Sequence, residues 1–288
     1  MTRPSPSSPC ALVFGLGFTG RAVARRLLAE GWRVAGTGRE RPVMAGVEGL
    51  VFEGEPTPAL DAALARATLV LSAVPPAPDG SDPVLDAYPR LGSGLGHDLG
   101  ATPARAVIYL SATSVYGDRQ GGWVTEAALP RPRTRRGRAR AEAELRWLET
   151  ALPVHVLRLA GIYGPGRSAF DRLERAVVKP GHVVNRIHVN DIAALVSRIA
   201  CAPAPGLYNV ADGHPAPPED VVRFAARLAG APPPREVPWT APELSPMARS
   251  FYGETKRVDA TRARETFGWG PAFADYRAGL RAIWNGDG

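Results

Sequence analysis

The chain has 288 residues, two cysteines and a formal net charge of +7 at pH 7. This length accommodates one large α/β domain, or a cofactor domain with a smaller second lobe. No apolar run reaches the roughly 18 residues that a membrane span requires. Cys10 and Cys201 lie far apart and have no Cys or His at metal-ligand spacing, which argues against a disulfide framework and a metal site. We therefore expect a cytoplasmic protein without a bound metal or a membrane partner.

The positive charge comes mostly from arginine, because Lys179 and Lys256 are the only lysines. The densest basic run, Arg131–Arg140, has no aromatic residue among its arginines. Single-stranded nucleic-acid sites combine the two residue types, so we interpret this run as a solvated segment. The charge is compatible with an anionic ligand. We predict a small-molecule substrate with an anionic group and no nucleic-acid partner.

Up to residue 165 the sequence alternates between strand and helix patterns. The Pro/Ser-rich residues 1–9 predict a disordered lead-in. Near-continuous apolar runs, typical of parallel strands covered on both faces, occur at Ala11–Phe14, Trp32–Ala35, Thr68–Val74, Ala106–Ser111 and Val154–Ala160. Helical patterns occur at Arg21–Glu30, Ala62–Ala67, Pro83–Tyr88 and Arg135–Thr150. Residues 10–165 therefore predict an α/β fold, a Rossmann-type doubly wound parallel sheet.

After Pro165 the pattern changes. Helices are predicted at Ala169–Val178, Asp191–Cys201, Glu219–Leu228 and Asp275–Trp284. A strand is predicted at Leu207–Val210 and a loop over the Pro-rich Ala231–Pro246. We expect residues 166–288 to form mostly a smaller C-terminal substrate lobe, with segments around 183–212 returning to the Rossmann domain.

A glycine-rich turn joins the first predicted strand to the first predicted helix. Gly15, Gly17 and Gly20 have the spacing G-x-G-x-x-G, in the strand-turn-helix context that this motif requires. The first glycine permits the tight turn, the second lets backbone N–H groups approach a pyrophosphate, and the third lets helix and strand pack closely. The phosphates then lie at the positive N-terminus of the helix. The sequence predicts a dinucleotide site, and we expect a nicotinamide cofactor.

The end of the second predicted strand bears on the choice of cofactor. NAD-preferring proteins place a carboxylate there, about 20 residues beyond the glycine turn, to bind the ribose 2′-hydroxyl. This chain has Gly36-Thr-Gly-Arg39 at that place, and its first carboxylate is Glu40. The Arg39 guanidinium could pair with a 2′-phosphate, so NADP(H) is favoured. NAD(H), with Arg39 as a solvated loop residue, is the alternative.

Four later motifs carry a resemblance to a known family. With Tyr109-Leu-Ser-Ala-Thr-Ser-Val-Tyr-Gly117, the chain resembles the extended short-chain dehydrogenase/reductase family, the NAD-dependent epimerase/dehydratase group that acts mainly on nucleotide sugars. Three more segments agree in order: Arg158-Leu-Ala-Gly-Ile-Tyr-Gly-Pro-Gly166, Arg186-Ile-His-Val-Asn-Asp191 and Tyr208-Asn-Val210. The resemblance spans roughly residues 10–285. The resemblance also implies that the chain could form a homodimer, because the helices beside the fourth strand pair in many family dimers.

The family's catalytic residues are replaced in this sequence. Members use a Ser or Thr three residues before Val-Tyr-Gly, and a Tyr-x-x-x-Lys in which the Lys lowers the pKa of the Tyr and holds the nicotinamide ribose. Ala112, Arg136 and Arg140 stand in these places. Arg140 can donate to a ribose hydroxyl, but Arg136 cannot exchange a proton near neutral pH. The resemblance is closest to the atypical branch, which keeps the fold and the glycine turn but loses the Tyr or Lys.

Three sets of site residues are predicted. The cofactor set is Gly15, Gly17, Phe18, Thr19, Gly20, Thr37, Arg39, Ser72, Ala73, Arg140 and Gly161. The substrate set is Thr113, Arg136, Arg167, Arg249 and Lys256. Its four cations could hold a phosphate or carboxylate, or be exposed charges with no shared target. The candidate catalytic residues are Ser111, Thr113, Arg136 and Arg140, whereas Tyr116, Tyr163 and His188 are interpreted as structural.

The sequence leaves two functions open. The first is an NAD(P)-dependent oxidoreductase or epimerase-like enzyme that acts on an anionic, nucleotide-sugar-like substrate with a non-standard acid/base. The second is a catalytically silent NAD(P)-binding protein that senses redox state or organises a partner. Loss of the three catalytic residue types favours the second function. The two-lobed outline favours the first, which we take as the working hypothesis.

Overall fold

Seven parallel strands form the central sheet of the fold. The computed structural model describes residues 8–89 and 104–287, so most of the predicted lead-in lies outside the described residues. The strands are β1 Cys10–Phe14, β2 Arg33–Gly38, β3 Val47–Val51, β4 Leu69–Ser72, β5 Ala106–Ala112, β6 Trp123–Val124, β7 Val154–Leu159, β8 Gly161–Tyr163, β9 Arg175–Val178, β10 Arg186–His188, β11 Gly206–Val210, β12 Arg235–Pro238 and β13 Arg257–Val258. The sheet order is β11-β7-β5-β4-β1-β2-β3, which confirms the Rossmann-type α/β class.

Helices connect these strands. Within the described residues they are α1 Phe18–Ala29, α2 Pro58–Arg66, α3 Pro83–Ala87, α4 Arg135–Leu148, α5 Val189–Cys201, α6 Pro218–Leu228, α7 Pro246–Phe251, α8 Thr261–Phe267 and α9 Tyr276–Asn285. Short 3₁₀ turns occur at Thr113–Tyr116 and Ala169–Arg172. Side chains of Thr57, Asp82, Ser245 and Asp275 accept hydrogen bonds from first-turn amides and so begin four helices. Among these described helices, none combines the length and the apolar character of a membrane span.

Two predictions for the C-terminal part are wrong. The helix predicted at Ala169–Val178 is a 3₁₀ turn followed by β9, and the loop predicted at Ala231–Pro246 contains β12. The two errors have one cause, because β9 and β12 pair with each other in parallel. The partner of each strand lies about 60 residues away in sequence, so local periodicity carries no signal for the pairing.

The first of two compact units holds the N-terminal strands. It comprises Met1–Leu110, Glu142–Leu157 and Ala193–Gly206, as far as these residues are described. Phe14 of β1 is fully buried and meets the ring of Phe52 edge-on, with 5.1 Å between centroids. Asp82 is also fully buried. It accepts hydrogen bonds from two α3 amides and from Trp147 Nε1 at 2.9 Å, which fixes the segment after β4.

The second unit comprises Ser111–Ala141, Arg158–Ile192 and Leu207–Gly288. One of its cores joins α6 to α9 through Val221, Ala225, Tyr276 and Leu280. Helix α9 packs closely against β8 because Gly279 carries no side chain. A Cβ at Gly279 would overlap the hydroxyl of Tyr163, which donates a hydrogen bond to the Asp275 carbonyl at 3.4 Å.

We expect Gly279→Ala to lower the free energy of unfolding by about 1–3 kcal/mol, because the added methyl overpacks the contact with Tyr163. The gain in helix propensity, roughly 1 kcal/mol, partly offsets this loss. Urea denaturation measures the difference. Gly270→Ala is the control, because a Cβ at Gly270 has no atom within 4 Å. Equal stabilities of the two variants would show that the approach of α9 to β8 does not require glycine.

Candidate cofactor and active site

The three glycines of the turn between β1 and α1 have different structural roles. Gly15 has a φ of +92°, a conformation that residues with a side chain rarely adopt. A Cβ at Gly20 would overlap the Gly15 carbonyl oxygen, so helix and strand approach closely only with glycine there. A Cβ at Gly17 would meet no atom within 4 Å. Backbone conformation therefore requires Gly15 and packing requires Gly20, while the space beside Gly17 is open to a ligand.

Strand β2 holds this turn in place through Thr37. The Thr37 hydroxyl accepts a hydrogen bond from Gly15 N–H at 3.0 Å, and the Thr37 backbone carbonyl accepts one from Leu16 N–H at 2.7 Å. Thr37 is 1% exposed. Leu16 in turn lies over Gly36, where any Cβ would overlap its side chain. The structure thus brings Thr37 to the predicted glycine turn, with its hydroxyl engaged by the backbone of that turn.

No side chain caps the N-terminus of α1. Gly17 occupies the N-cap position and supplies no side-chain acceptor, and the first turn has no acidic residue. The amides that follow belong to the predicted cofactor residues Phe18, which is half-buried, and Thr19, which is 9% exposed. The N–H groups that point out of a helix N-terminus and the helix dipole together favour an anion at such an end.

Two further strand ends carry predicted cofactor residues in the same unit. Arg39 follows β2 and is exposed, and among the described residues no hydrogen bond or ion pair engages its guanidinium. Ser72 ends β4 and is fully buried, with a hydroxyl that has no hydrogen-bond partner. Ala73 N–H donates to the Phe14 carbonyl at 2.8 Å, which ties the end of β4 to the start of the glycine turn.

In the second unit, the predicted catalytic residues lie at the end of β5 and on the first turns of α4. Ser111, which precedes Ala112 at the end of β5, is 3% exposed, whereas Thr113, the first residue of the 3₁₀ turn that follows the strand, is half-buried. Arg136 is exposed and Arg140 is half-buried, and their spacing of four places them on one face of the helix. Gly161 opens β8, and its N–H donates to the Asn185 carbonyl at 3.0 Å.

The four predicted substrate cations differ in burial. Arg136 and Arg167 are exposed. Arg249 is exposed too, and its guanidinium donates to the Leu244 and Pro242 carbonyls, each at 3.0 Å. Lys256 is 8% exposed and donates to Gly117 and Glu254. Arg136, Arg249 and Lys256 have no acceptor in common within the described residues. No group of three His, Cys, Asp or Glu side chains is arranged for a metal there either.

Comparisons with known proteins decide the family. No protein-family model matches the chain. It is 34% identical to protein YeeZ of Escherichia coli K12 over 241 residues, which cover 77% of this chain and 85% of YeeZ. A solved Silicibacter pomeroyi protein of unknown function is 41% identical, with a TM-score of 0.88 over 97% of this chain and 99% of that chain. A solved Methylobacillus flagellatus protein, provisionally classed as an NAD-dependent epimerase/dehydratase, is 25% identical, with a TM-score of 0.72 over 97% and 98%. The chain belongs to the extended short-chain dehydrogenase/reductase family.

Two other similar proteins have a named activity or bound ligands. A Streptomyces 3-diazoavenalumate denitrifying reductase is 33% identical over 137 residues, which cover 43% of this chain and 45% of that protein. MoeE5, solved in complex with UDP-glucose and NAD, is 21% identical, with a TM-score of 0.76 over 96% of this chain and 97% of that chain. At this identity the second likeness shows the fold alone.

The tyrosines near the family's motifs are structural. Tyr116 is fully buried, and its hydroxyl donates to Asn209 Oδ1 at 2.7 Å. The Arg158 guanidinium lies over its ring, 4.7 Å from the centroid. Burial raises the pKa of Tyr116 and of Tyr163 above the ordinary value for tyrosine. Neither hydroxyl is therefore poised to exchange a proton near neutral pH, in agreement with the interpretation from the sequence.

His188 is also part of the core. Its ring is fully buried between Tyr163 and Phe273, with centroid distances of 5.1 and 4.0 Å, and Nδ1 accepts a hydrogen bond from Asn190 N–H at 3.2 Å. Burial lowers the pKa of His188 to about 4. The imidazole is thus neutral at pH 7 and serves as a packed acceptor.

Sequence reasoning missed several buried polar residues. Asp191 accepts hydrogen bonds from the amides of Ala272 and Phe273, and so holds that loop to the start of α5. Burial raises the pKa of Asp212 to about 6, and one of its carboxyl oxygens has no partner. Glu254, which pairs with Lys256, was not singled out either. Asp191 and Asp212 had a signal in the sequence, because Asp191 ends the Arg186–Asp191 motif and Asp212 follows the Tyr208-Asn-Val210 motif.

His188→Phe should reduce the loss of stability that acid causes in the parent. The folded-state pKa of about 4 lies below the unfolded value, so the neutral ring stabilises the fold fully above about pH 6.5, and this contribution is lost as the pH falls towards 4. Between pH 7 and pH 5 the contribution of His188 to the free energy of unfolding falls by on the order of 1–2 kcal/mol. Urea titrations at the two pH values measure it. His214→Gln, at an exposed histidine, is the control. An unchanged pH dependence in His188→Phe would contradict the assignment.

Proposed function

We propose that the chain binds NADP(H), or with lower preference NAD(H), through the turn between β1 and α1. The observation that carries this proposal is the open space beside Gly17 at a helix N-terminus without a side-chain cap. This arrangement fits a pyrophosphate, because no side chain caps this helix N-terminus and no atom fills the space beside Gly17. When bound, the nicotinamide accepts or donates a hydride.

We further propose oxidoreductase or epimerase-like chemistry on an anionic small molecule of the nucleotide-sugar class. Arg136, Arg167 and Arg249 are exposed cations of the second unit, and they would attract and hold a phosphate or carboxylate. Thr113 would offer a half-buried hydroxyl to the substrate. The substrate class is motivated by MoeE5, which binds UDP-glucose and NAD, and redox chemistry by the Streptomyces reductase.

A catalytically silent NAD(P)-binding protein is the second candidate. The favouring observation is that Ala112 has no hydroxyl and that arginine, at position 136, does not titrate near neutral pH. Steady-state assays of the parent with nucleotide sugars and simple carbonyl compounds separate the two functions. Turnover supports the enzyme, whereas calorimetric binding of NAD(P)H without any turnover supports the silent protein.

Gly17→Val should weaken NAD(P)H binding by on the order of 100-fold or more. Its side chain would occupy the space proposed for the pyrophosphate and remove charge-assisted contacts of about 1.5–3 kcal/mol each. The fold should tolerate the change, because a Cβ at Gly17 meets no neighbouring atom. Calorimetry measures affinity and circular dichroism measures thermal stability. An unchanged affinity for NAD(P)H in a folded Gly17→Val variant would contradict the proposed site.

The parent should bind NADPH more tightly than NADH, and Arg39→Ala should remove most of that difference. A charge-assisted contact to the 2′-phosphate corresponds to on the order of 1–3 kcal/mol. Because Arg39 is exposed, added salt should narrow the difference too. Arg41→Ala, at an exposed arginine two residues on, is the matched control. A parent that prefers NADH, or an Arg39→Ala variant that keeps the preference for NADPH, would contradict the role of Arg39.

A further inference from the structure

Lys256 is a buried lysine with an incomplete set of hydrogen bonds. It is 8% exposed, and its Nζ donates to the Gly117 carbonyl at 2.7 Å and to Glu254 Oε2 at 3.1 Å. A lysine ammonium group has three protons to donate. Since Nζ has two acceptors within the described residues, one N–H is left for a further acceptor.

Its partner Glu254 is incompletely bonded as well. The side chain is 12% exposed, and its second carboxylate oxygen, Oε1, is buried with no hydrogen-bond partner. Buried polar atoms without partners are rare in folded proteins, and each calls for an explanation. The pair therefore offers one donor and one acceptor. A substrate hydroxyl matches both, because it can accept from Nζ and donate to Oε1, and a carbonyl matches the donor.

The backbone places Lys256 beside the segment that carries catalysis in the family. Gly117, whose carbonyl binds Nζ, ends the 3₁₀ turn Thr113–Tyr116, and this turn directly follows Ala112 at the end of β5. Gly117 has a φ of +65°, and a Cβ there would overlap the Arg131 carbonyl oxygen. The carbonyl that positions the ammonium group is thus set by a turn that only glycine fits.

We propose that Lys256 is the general acid and base of this chain, in the role that tyrosine has elsewhere in the family. The inference rests on the proposed NAD(P)-dependent function. Reduction of a substrate carbonyl adds a hydride to its carbon, with the reduced nicotinamide as the hydride source, and the electron pair of the C=O π bond moves to the oxygen. That oxygen takes a proton from the Lys256 ammonium group and becomes a hydroxyl. The neutral amine then regains a proton from solvent, and oxidation of an alcohol follows the reverse course.

The surroundings of Lys256 suit an acid that can also return to its neutral form. Burial lowers the pKa of the ammonium group, and Arg119 adds to this effect. The carboxylates of Glu254 and Asp118 oppose this effect, because they favour the charged form. His182 is a further titratable group nearby, and burial together with Lys179 and Lys256 lowers its pKa to about 4, so it is neutral at pH 7.

A lysine titration tests the assignment without any turnover. Lys179 and Lys256 are the only lysines, so protein labelled with ¹³C at lysine Cε gives two NMR signals, and Lys179→Arg leaves that of Lys256 alone. We expect Lys256 to titrate below the ordinary pKa of lysine. The pKa should fall further in Glu254→Gln, because this change removes a carboxylate that favours the charged form. Titration at or above the ordinary value would overturn the proposal.

Kinetics separate proton transfer from simple binding of an anion. Lys256→Arg keeps the positive charge but cannot give up a proton, and Lys256→Met removes both properties. We expect kcat to fall on the order of 100- to 10,000-fold in both variants, with little change in KM. Lys179→Arg, the matched control, should keep the activity of the parent. Full activity in Lys256→Arg would assign the residue to anion binding and overturn its role in proton transfer.

Failure of this inference and failure of the proposed function give different results. If the parent does not bind NAD(P)H in calorimetry, the proposed function fails. If the parent binds NAD(P)H but Lys256 titrates as an ordinary lysine, the assignment of Lys256 fails alone. Where no tested compound turns over, the NMR titration decides the outcome.

Discussion

Helix α1 can approach strand β1 closely only because Gly20 has no side chain, since any Cβ there would overlap the carbonyl oxygen of Gly15. This contact fixes the direction in which the helix leaves the sheet, and hence where its N-terminal amides lie. The two hydrogen bonds from Gly15 and Leu16 to Thr37 then lock the turn onto the neighbouring strand. With its backbone held on both sides, the turn can leave the space beside Gly17 open without losing its shape.

The parts of the fold that were predictable have local signals. The glycine spacing and the apolar runs of the central strands are short-range patterns, and the structure has strands at all five predicted N-terminal positions. The pairing of β9 with β12 has no such signal, because Arg175–Val178 becomes a strand only when Arg235–Pro238 lies beside it. The short strand β3 was missed for a related reason, since Val47–Val51 contains Glu48 and Gly49 and depends on pairing with β2.

For the candidate site, the sequence predicted residue types but not their environments. Lys256 was expected to be one of four similar cations, yet it is buried and the three arginines are exposed. His188 and Tyr116 are residue types that often exchange protons, and full burial moves the pKa of each away from neutrality, in opposite directions. The reason is the same in both cases, because burial disfavours the charged form, which is the protonated form of histidine and the deprotonated form of tyrosine. Such differences depend on tertiary packing, which residue spacing does not encode.

The replacement of the family's tyrosine by Arg136 is compatible with an intact fold, because Arg136 lies outside the buried polar network of the described residues. In the second unit this network centres on Asn209, which is fully buried. The Asn209 side chain accepts a hydrogen bond from the Tyr116 hydroxyl and donates one to the Asp259 carbonyl, and the Asn209 backbone N–H donates to the Glu126 carboxylate. Arg136 is an exposed residue on α4 and takes no part in this network. Changing it therefore leaves no buried donor or acceptor unsatisfied. Selection on the fold and selection on the chemistry can thus act on separate residues, so a retained fold in this family is compatible with a different proton-transfer group.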